Sequence, residues 1–108
     1  SHELKKKLSQ ELKNPSIRAF LDTISYAEGT YKSGLGGYKI LYLGVPFTSF
    51  DVHPDTQVCS QSLCSTAAGR YMFLKKTWDS IAQRLELDDF SPLSQDLGAV
   101  FLLWEVHA

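Results

Sequence analysis

Leu4, Leu8 and Leu12 recur every four residues among lysines and glutamates. That spacing predicts a short amphipathic helix that needs a partner surface to be stable. Asn14-Pro15-Ser16 then reads as a break and restart, with Asn14 as N-cap and Pro15 in the first turn. The next helix carries Ile17, Phe20, Leu21 and Ile24 on one stripe and stops at Gly29. From Ser33 to Ser49 the texture changes. Gly34, Gly36, Gly37 and Gly44 punctuate Tyr38–Leu43, which predicts two or three short antiparallel strands with tight turns. Residues 49–66 read as a long irregular loop, a kind that is more often functional than idle. Helical spacing returns at Tyr71, Leu74, Trp78, Ile81, Ala82 and Leu85 and stops near Asp88-Asp89. Ser91 as N-cap and Pro92 at the first position open a final helix. Its stretch Val100–Trp104 is apolar nearly all round, which fits a buried helix requiring cover on every side.

The pattern is therefore α+β, mainly helical, with a small antiparallel lip. Residues 1–13 are read as a helical extension and 14–108 as the domain proper. The 108 residues suit one small domain. A composition of 44% hydrophobic and 21% charged residues excludes wholesale disorder. A net charge of −1 and a pI of about 6.2 give no basic footprint for nucleic acid and no polybasic membrane patch. No stretch reaches the roughly 18–20 apolar residues that span a bilayer, and no leader is legible in the opening Ser-His-Glu-Leu-Lys-Lys-Lys.

Cys59 and Cys64 bracket four residues. They are either a small disulfide loop, which favours an oxidising compartment, or two free thiols. No metal site is expected: C-x₄-C lacks a second pair, and His2, His53 and His107 are scattered. Nor does any cofactor motif occur.

Glu28 is the leading catalytic candidate. It follows Ile24 by four residues, which places it on the apolar stripe in the last helical turn. Burial and the negative end of the helix dipole both disfavour an ionised carboxylate there, as a general acid requires. The competing reading is a glutamate that rotates into solvent at a helix end. Glycoside hydrolysis ordinarily pairs two carboxylates about 5–10 Å apart. Asp51 and Asp55 lie in the long loop, Asp22 points elsewhere on the helix, and Asp79, Asp88, Asp89 and Asp96 read as surface or end charges. A one-acid site is the more economical reading. Ser65 to Tyr71 forms a second constellation, in which small residues lead to Gly69 at an expected helix mouth. Its free backbone N–H groups would receive ligand oxygens, with Tyr71 stacking on a sugar ring; the alternative is an ordinary junction with a core tyrosine.

Several motifs then occur in a fixed order. They are Arg18-Ala19-Phe20-Leu21-Asp22, Ala27-Glu28-Gly29-Thr30, Gly37-Tyr38, Phe47-Thr48 with His53-Pro54, and Ser65-Thr66 with Ala68-Gly69-Arg70-Tyr71. Trp78-Asp79, and Asp89-Phe90-Ser91-Pro92 with Ser94-Gln95-Asp96, complete the series. Together they resemble the lambda-phage endolysin family across residues 17–96. The resemblance implies a lysozyme-like fold and a lytic transglycosylase or muramidase, bacteriolytic in effect. Such an enzyme cleaves the β-1,4 bond between N-acetylmuramic acid and N-acetylglucosamine. Glu28 would act as both acid and base, and Tyr38, Phe47, Thr48, Ser65, Arg70 and Tyr71 would line the substrate groove. The implied partner is a peptidoglycan glycan strand, met in the bacterial periplasm or cell-wall space. The sequence departs from the family pattern at Met72, where glutamine is usual, at Lys39, where aspartate is usual, and at Leu43-Gly44, where a Gly-Gly turn is usual. The family domain is also expected to run on beyond Ala108. A C-terminal lobe left incomplete would be covered by the helix of residues 3–13 or by a homodimer through the last helix. The alternative function is a non-catalytic lysozyme-like module that binds glycan or a protein partner.

Overall fold

A computed structural model describes residues 2–107, and its helices begin where the sequence chemistry allows. Helix α1 (His2–Glu11) is the amphipathic leucine helix. Its Leu8 is wholly buried, with Leu4 and Leu12 half-buried beside it. Asn14 ends the break that follows: its side chain accepts the Ser16 N–H at 2.9 Å, and Pro15 opens α2 (Pro15–Glu28). Gly29 closes α2 in the left-handed conformation at φ 79°, which glycine adopts without a Cβ penalty. Helix α3 (Lys75–Leu85) buries Trp78, Ile81 and Leu85. Before α4 (Pro92–His107), the Ser91 hydroxyl accepts the Ser94 N–H at 3.2 Å, which satisfies one of the donors a helix start leaves free.

Helix α4 is the axis of the molecule. Residues 94–101 are buried, with α1, α2 and α3 packed around it. From Leu102 onward it emerges, and Trp104 and Val106 are exposed. Helix α1 lies against α4 and α3, so the leucine helix covers part of the last helix, and the stretch from Leu102 onward is left open. A cluster of rings fills the centre. Phe73, Trp78 and Phe90 meet with centroids 4.8–6.4 Å apart, and the His53 ring lies 5.0 Å from Phe90.

The small sheet is not where the glycine-punctuated pattern put it. Residues 33–49 fold as two 3₁₀ turns, Gly34–Gly37 and Tyr42–Gly44, the second closed by an isolated bridge from Ile40 to Pro46. Leu35 and Leu43 take positive φ in those turns, and left-handed backbone cannot continue a strand. The strands lie instead within the expected irregular loop. Antiparallel β1 (Val58–Ser60) and β2 (Leu63–Ser65) place Cys59 opposite Cys64, and the two are disulfide-bonded. The start of α3 is a second correction. Tyr71 precedes the helix rather than opening it. Reciprocal bonds between Ala68 and Phe73 close residues 68–73 into a loop, and Met72 at φ 53° cannot be helical.

Candidate active site

Two consecutive hydrogen bonds finish α2. The Gly29 N–H returns to the Tyr26 carbonyl at 3.1 Å and the Thr30 N–H to the Ser25 carbonyl at 2.9 Å. This pairing holds the last helical residue, Glu28, at a fixed point. Glu28 faces a groove of about 580 Å³. One side is the α2 end, Glu28, Gly29 and Thr30; the other is Ile40 and the turn Tyr42, Leu43 and Gly44. Ser65, Ala67 and Met72 complete the lining. Among the described residues Glu28 is the only carboxylate in its lining. Asp51 lies in a different depression with Asp79, Asp88 and Asp89, so the paired-acid alternative finds no partner in this groove.

Glu28 is exposed, contrary to the burial expected from its spacing. The buried face of α2 runs through Leu21 and Ser25, Ile24 is only half-buried, and Phe20 is 43% exposed. The stripe is thus rotated, and Glu28, four residues from Ile24, falls at its open edge.

The other expected groove residues divide. Ser65 is brought to Glu28; Tyr38, Phe47, Thr48, Arg70 and Tyr71 are not in its lining. Phe47 and Thr48 border a separate depression with Val52 and Pro54, and Phe47 tilts against Phe90 at 5.9 Å. Arg70, Tyr38 and Tyr71 belong to a polar network under the groove. The buried Arg70 guanidinium donates to Asp22 at 2.7 Å, to the Gly36 carbonyl at 3.0 Å and to the Tyr71 hydroxyl at 3.0 Å. The hydroxyls of Tyr38 and Tyr71 both donate to one Asp96 oxygen, at 2.7 and 2.6 Å, and Arg18 donates to the other at 3.0 Å. Asp96, expected on the surface, is buried at the centre of this network. Burial, joined by the Asp96 carboxylate, pushes both tyrosines above the usual range, so they remain neutral donors. Burial opposes the charge on Arg70, but the bonds to Asp22 and Tyr71 outweigh it and hold the guanidinium protonated.

Between Ser65 and Tyr71, where free N–H groups were expected to await a ligand, those of Ala67, Ala68, Gly69 and Arg70 are already used. Arg70 donates to Gln95 Oε1 at 2.9 Å, Gly69 to the Ile40 carbonyl, Ala68 to the Phe73 carbonyl and Ala67 to the Ser65 hydroxyl. Lys39 lies over the Phe50 ring at 4.7 Å, outside the groove lining. Two of the departures from the family pattern, Leu43 and Met72, do line the groove, and both are at positive φ, 65° and 53°. Thr30, Ile40, Tyr42 and Ala67 were not assigned to the groove from the sequence, although Thr30 sat inside the motif of Glu28 and Ala67 inside the stretch Ser65 to Tyr71. Among the described residues no cluster fits a metal ion, and no helix is long and apolar enough to cross a membrane.

A mainly helical α+β domain with a lone carboxylate at a helix end over an open groove is a lysozyme-like architecture. The endolysin family model matches residues 18–108, and the chain belongs to that family. It is 40% identical over 92 residues to the endolysin of Escherichia phage lambda, covering 81% of this chain and 58% of that protein. It is 36% identical over 104 residues to the endolysin of Escherichia phage P2, covering 83% and 63% respectively. The structure of bacteriophage lambda lysozyme complexed with a chitohexasaccharide superposes with a TM-score of 0.81 at 39% identity. That match covers 85% of this chain and 63% of the lambda chain. The chain thus spans about three-fifths of the length of the relatives it matches.

Proposed function

We propose that the chain cleaves peptidoglycan at the β-1,4 bond between N-acetylmuramic acid and N-acetylglucosamine, as a lytic transglycosylase. The observation that carries this reading is the single carboxylate, Glu28, in a groove lined by no second acid among the described residues. A hydrolase needs a second group to activate water or to form a covalent intermediate. A transglycosylase does not. The Glu28 carboxyl gives its proton to the glycosidic oxygen as the C1–O4 bond breaks. The resulting carboxylate then takes the proton of the muramoyl 6-hydroxyl, whose oxygen bonds to C1 and closes a 1,6-anhydro ring. No water enters, and Glu28 ends protonated as it began. Because Glu28 is exposed in the free protein, a seated glycan strand has to supply its cover. Ile40, Tyr42, Leu43 and Met72 offer apolar surface for sugar faces, and Ser65 a hydroxyl. The similarity to a lysozyme complexed with a chitohexasaccharide supports a glycan ligand. The place of action is the bacterial cell-wall space, in keeping with the Cys59–Cys64 disulfide.

Glu28→Gln removes the transferable proton while keeping the shape. Loss of turbidity of purified cell walls should then stop, and mass spectrometry of the wild-type digest should show 1,6-anhydro ends. Equal clearing by both proteins refutes the assignment of Glu28. The apolar Met72 and Leu43 in the groove favour a second reading, a module that holds glycan without cutting it. Oligosaccharide binding with no cleavage product would establish that reading instead.

A further inference from the structure

The Glu28 side chain has no hydrogen-bonding or ionic partner among the described residues. What the fold fixes is the point from which that side chain springs, and the backbone there is anchored two residues on. Thr30 is 1% exposed. Its N–H caps α2 at the Ser25 carbonyl, and its hydroxyl lies 2.5 Å from the Arg70 carbonyl and 3.2 Å from the Ser25 carbonyl. A hydroxyl has one proton, and the Arg70 carbonyl is much the nearer acceptor, so the proton goes to Arg70. The Thr30 carbonyl in turn accepts the Ser33 N–H at 3.0 Å. The backbone of Gly37 presses on the same residue: a Cβ there would sit 2.5 Å from both the Thr30 Cβ and the Thr30 carbonyl oxygen. Arg70 is itself immobilised by Gln95, Asp22 and Gly36. The catalytic end of α2, the turn Gly34–Gly37 and the loop before α3 thus meet on one threonine.

We infer that Thr30 is the positioning residue of this site: its hydroxyl, bonded to the Arg70 carbonyl, holds the end of α2 in the register that points Glu28 into the groove. Thr30 lends no atom to the reaction. This inference rests on Glu28 being the acid and base. It assigns Arg70 the role of a backbone anchor.

The test uses the full chain and initial rates of soluble glycan release from sonicated peptidoglycan, corrected for the folded fraction. Thr30→Val keeps the shape and removes the proton; Thr30→Ser keeps the proton and removes a methyl group. Misaiming a catalytic group by a fraction of an ångström to an ångström lowers turnover by about 10- to 100-fold. Thr30→Val should therefore lower kcat by that factor with KM within about twofold of wild type, because ground-state binding does not use the proton. Thr30→Ser should restore kcat to within about threefold, even if it melts earlier. A Thr30→Val protein that melts earlier but turns over normally below its melting point overturns the inference, since the hydroxyl would then be structural only. Should Thr30→Val not fold, Thr30→Cys replaces the hydroxyl by a weak donor, and an unchanged kcat there overturns it equally. Glu28→Gln run alongside separates the two levels. Full activity in Glu28→Gln removes the underlying reading, whereas inactive Glu28→Gln with normal Thr30→Val removes only the positioning role.

Discussion

Reduction of the Cys59–Cys64 disulfide should weaken both the fold and the groove. The cross-link closes a six-residue loop, since the two cysteines are five apart in sequence. The chain-entropy relation gives about 2 kcal/mol for a loop of that length at 25 °C, by restricting the unfolded chain. The strands it joins are only three residues long, and an isolated hairpin of that size is marginal in water. Few other contacts hold it: Val58 is half-buried against the core, and β1 touches the Tyr42–Gly44 turn. That turn and the residues just after β2, together with Ser65 itself, form the groove wall facing Glu28. Loosening the hairpin therefore loosens the wall. In thermal unfolding followed by tryptophan fluorescence, 2 kcal/mol corresponds to a fall in Tm of roughly 8–15 °C for a domain of this size. Dithiothreitol should produce that shift in the native protein and none in a Cys59→Ala/Cys64→Ala variant, which should start at the lower Tm. KM for peptidoglycan should rise several-fold in both reduced and variant forms. If oxidised and reduced protein melt within about 2 °C of each other, the entropy argument is wrong for this hairpin.

Three further outcomes follow from single residues. The neutral His53 ring donates from Nε2 to the Phe73 carbonyl at 2.7 Å and accepts the Asp55 N–H at Nδ1, 3.0 Å away; burial, with Lys75 nearby, holds it below the ordinary histidine range. The unfolded chain binds the proton first as pH falls, so His53 contributes stability that is complete above about pH 6.5 and lost below it. Urea melts at pH 7.5 and 5.0 should show this loss, and His53→Gln should reduce it; parallel slopes in both proteins would exclude His53 as the source. Gly37→Ala adds a Cβ 2.5 Å from Thr30 at a residue with φ 85°. The left-handed penalty and overpacking together should cost about 2–4 kcal/mol by denaturant titration, and a change under 1 kcal/mol would mean the turn can relax. Leu8→Ala empties a wholly buried site on α1 and should cost about 2–5 kcal/mol if α1 folds with the core, against almost nothing if it frays independently.

Local chemistry was enough for the presence of the helices, the caps of α2 and α4, and the family, though not for the start of α3. Asn14-Pro15, Gly29 and Ser91-Pro92 act through bonds to neighbours a few residues away, so their meaning is readable in one dimension. The motif order that carried the endolysin resemblance is likewise a property of the chain, and so is the choice of Glu28 as candidate acid. Tertiary structure decided the rest. The strands moved from residues 33–49 to 58–65 because a pair forms where two segments can face each other, and positive φ at Leu35 and Leu43 prevents the earlier stretch from extending. Glu28 came out exposed because the buried face of α2 is chosen by what α4 presents to it. Arg70, Tyr38 and Tyr71 read as groove residues by motif, yet fold inward onto Asp96 and Asp22, partners 25 to 58 positions away. Spacing along a helix can nominate a residue for a face; only the elements packed against that helix determine whether the face is core or groove.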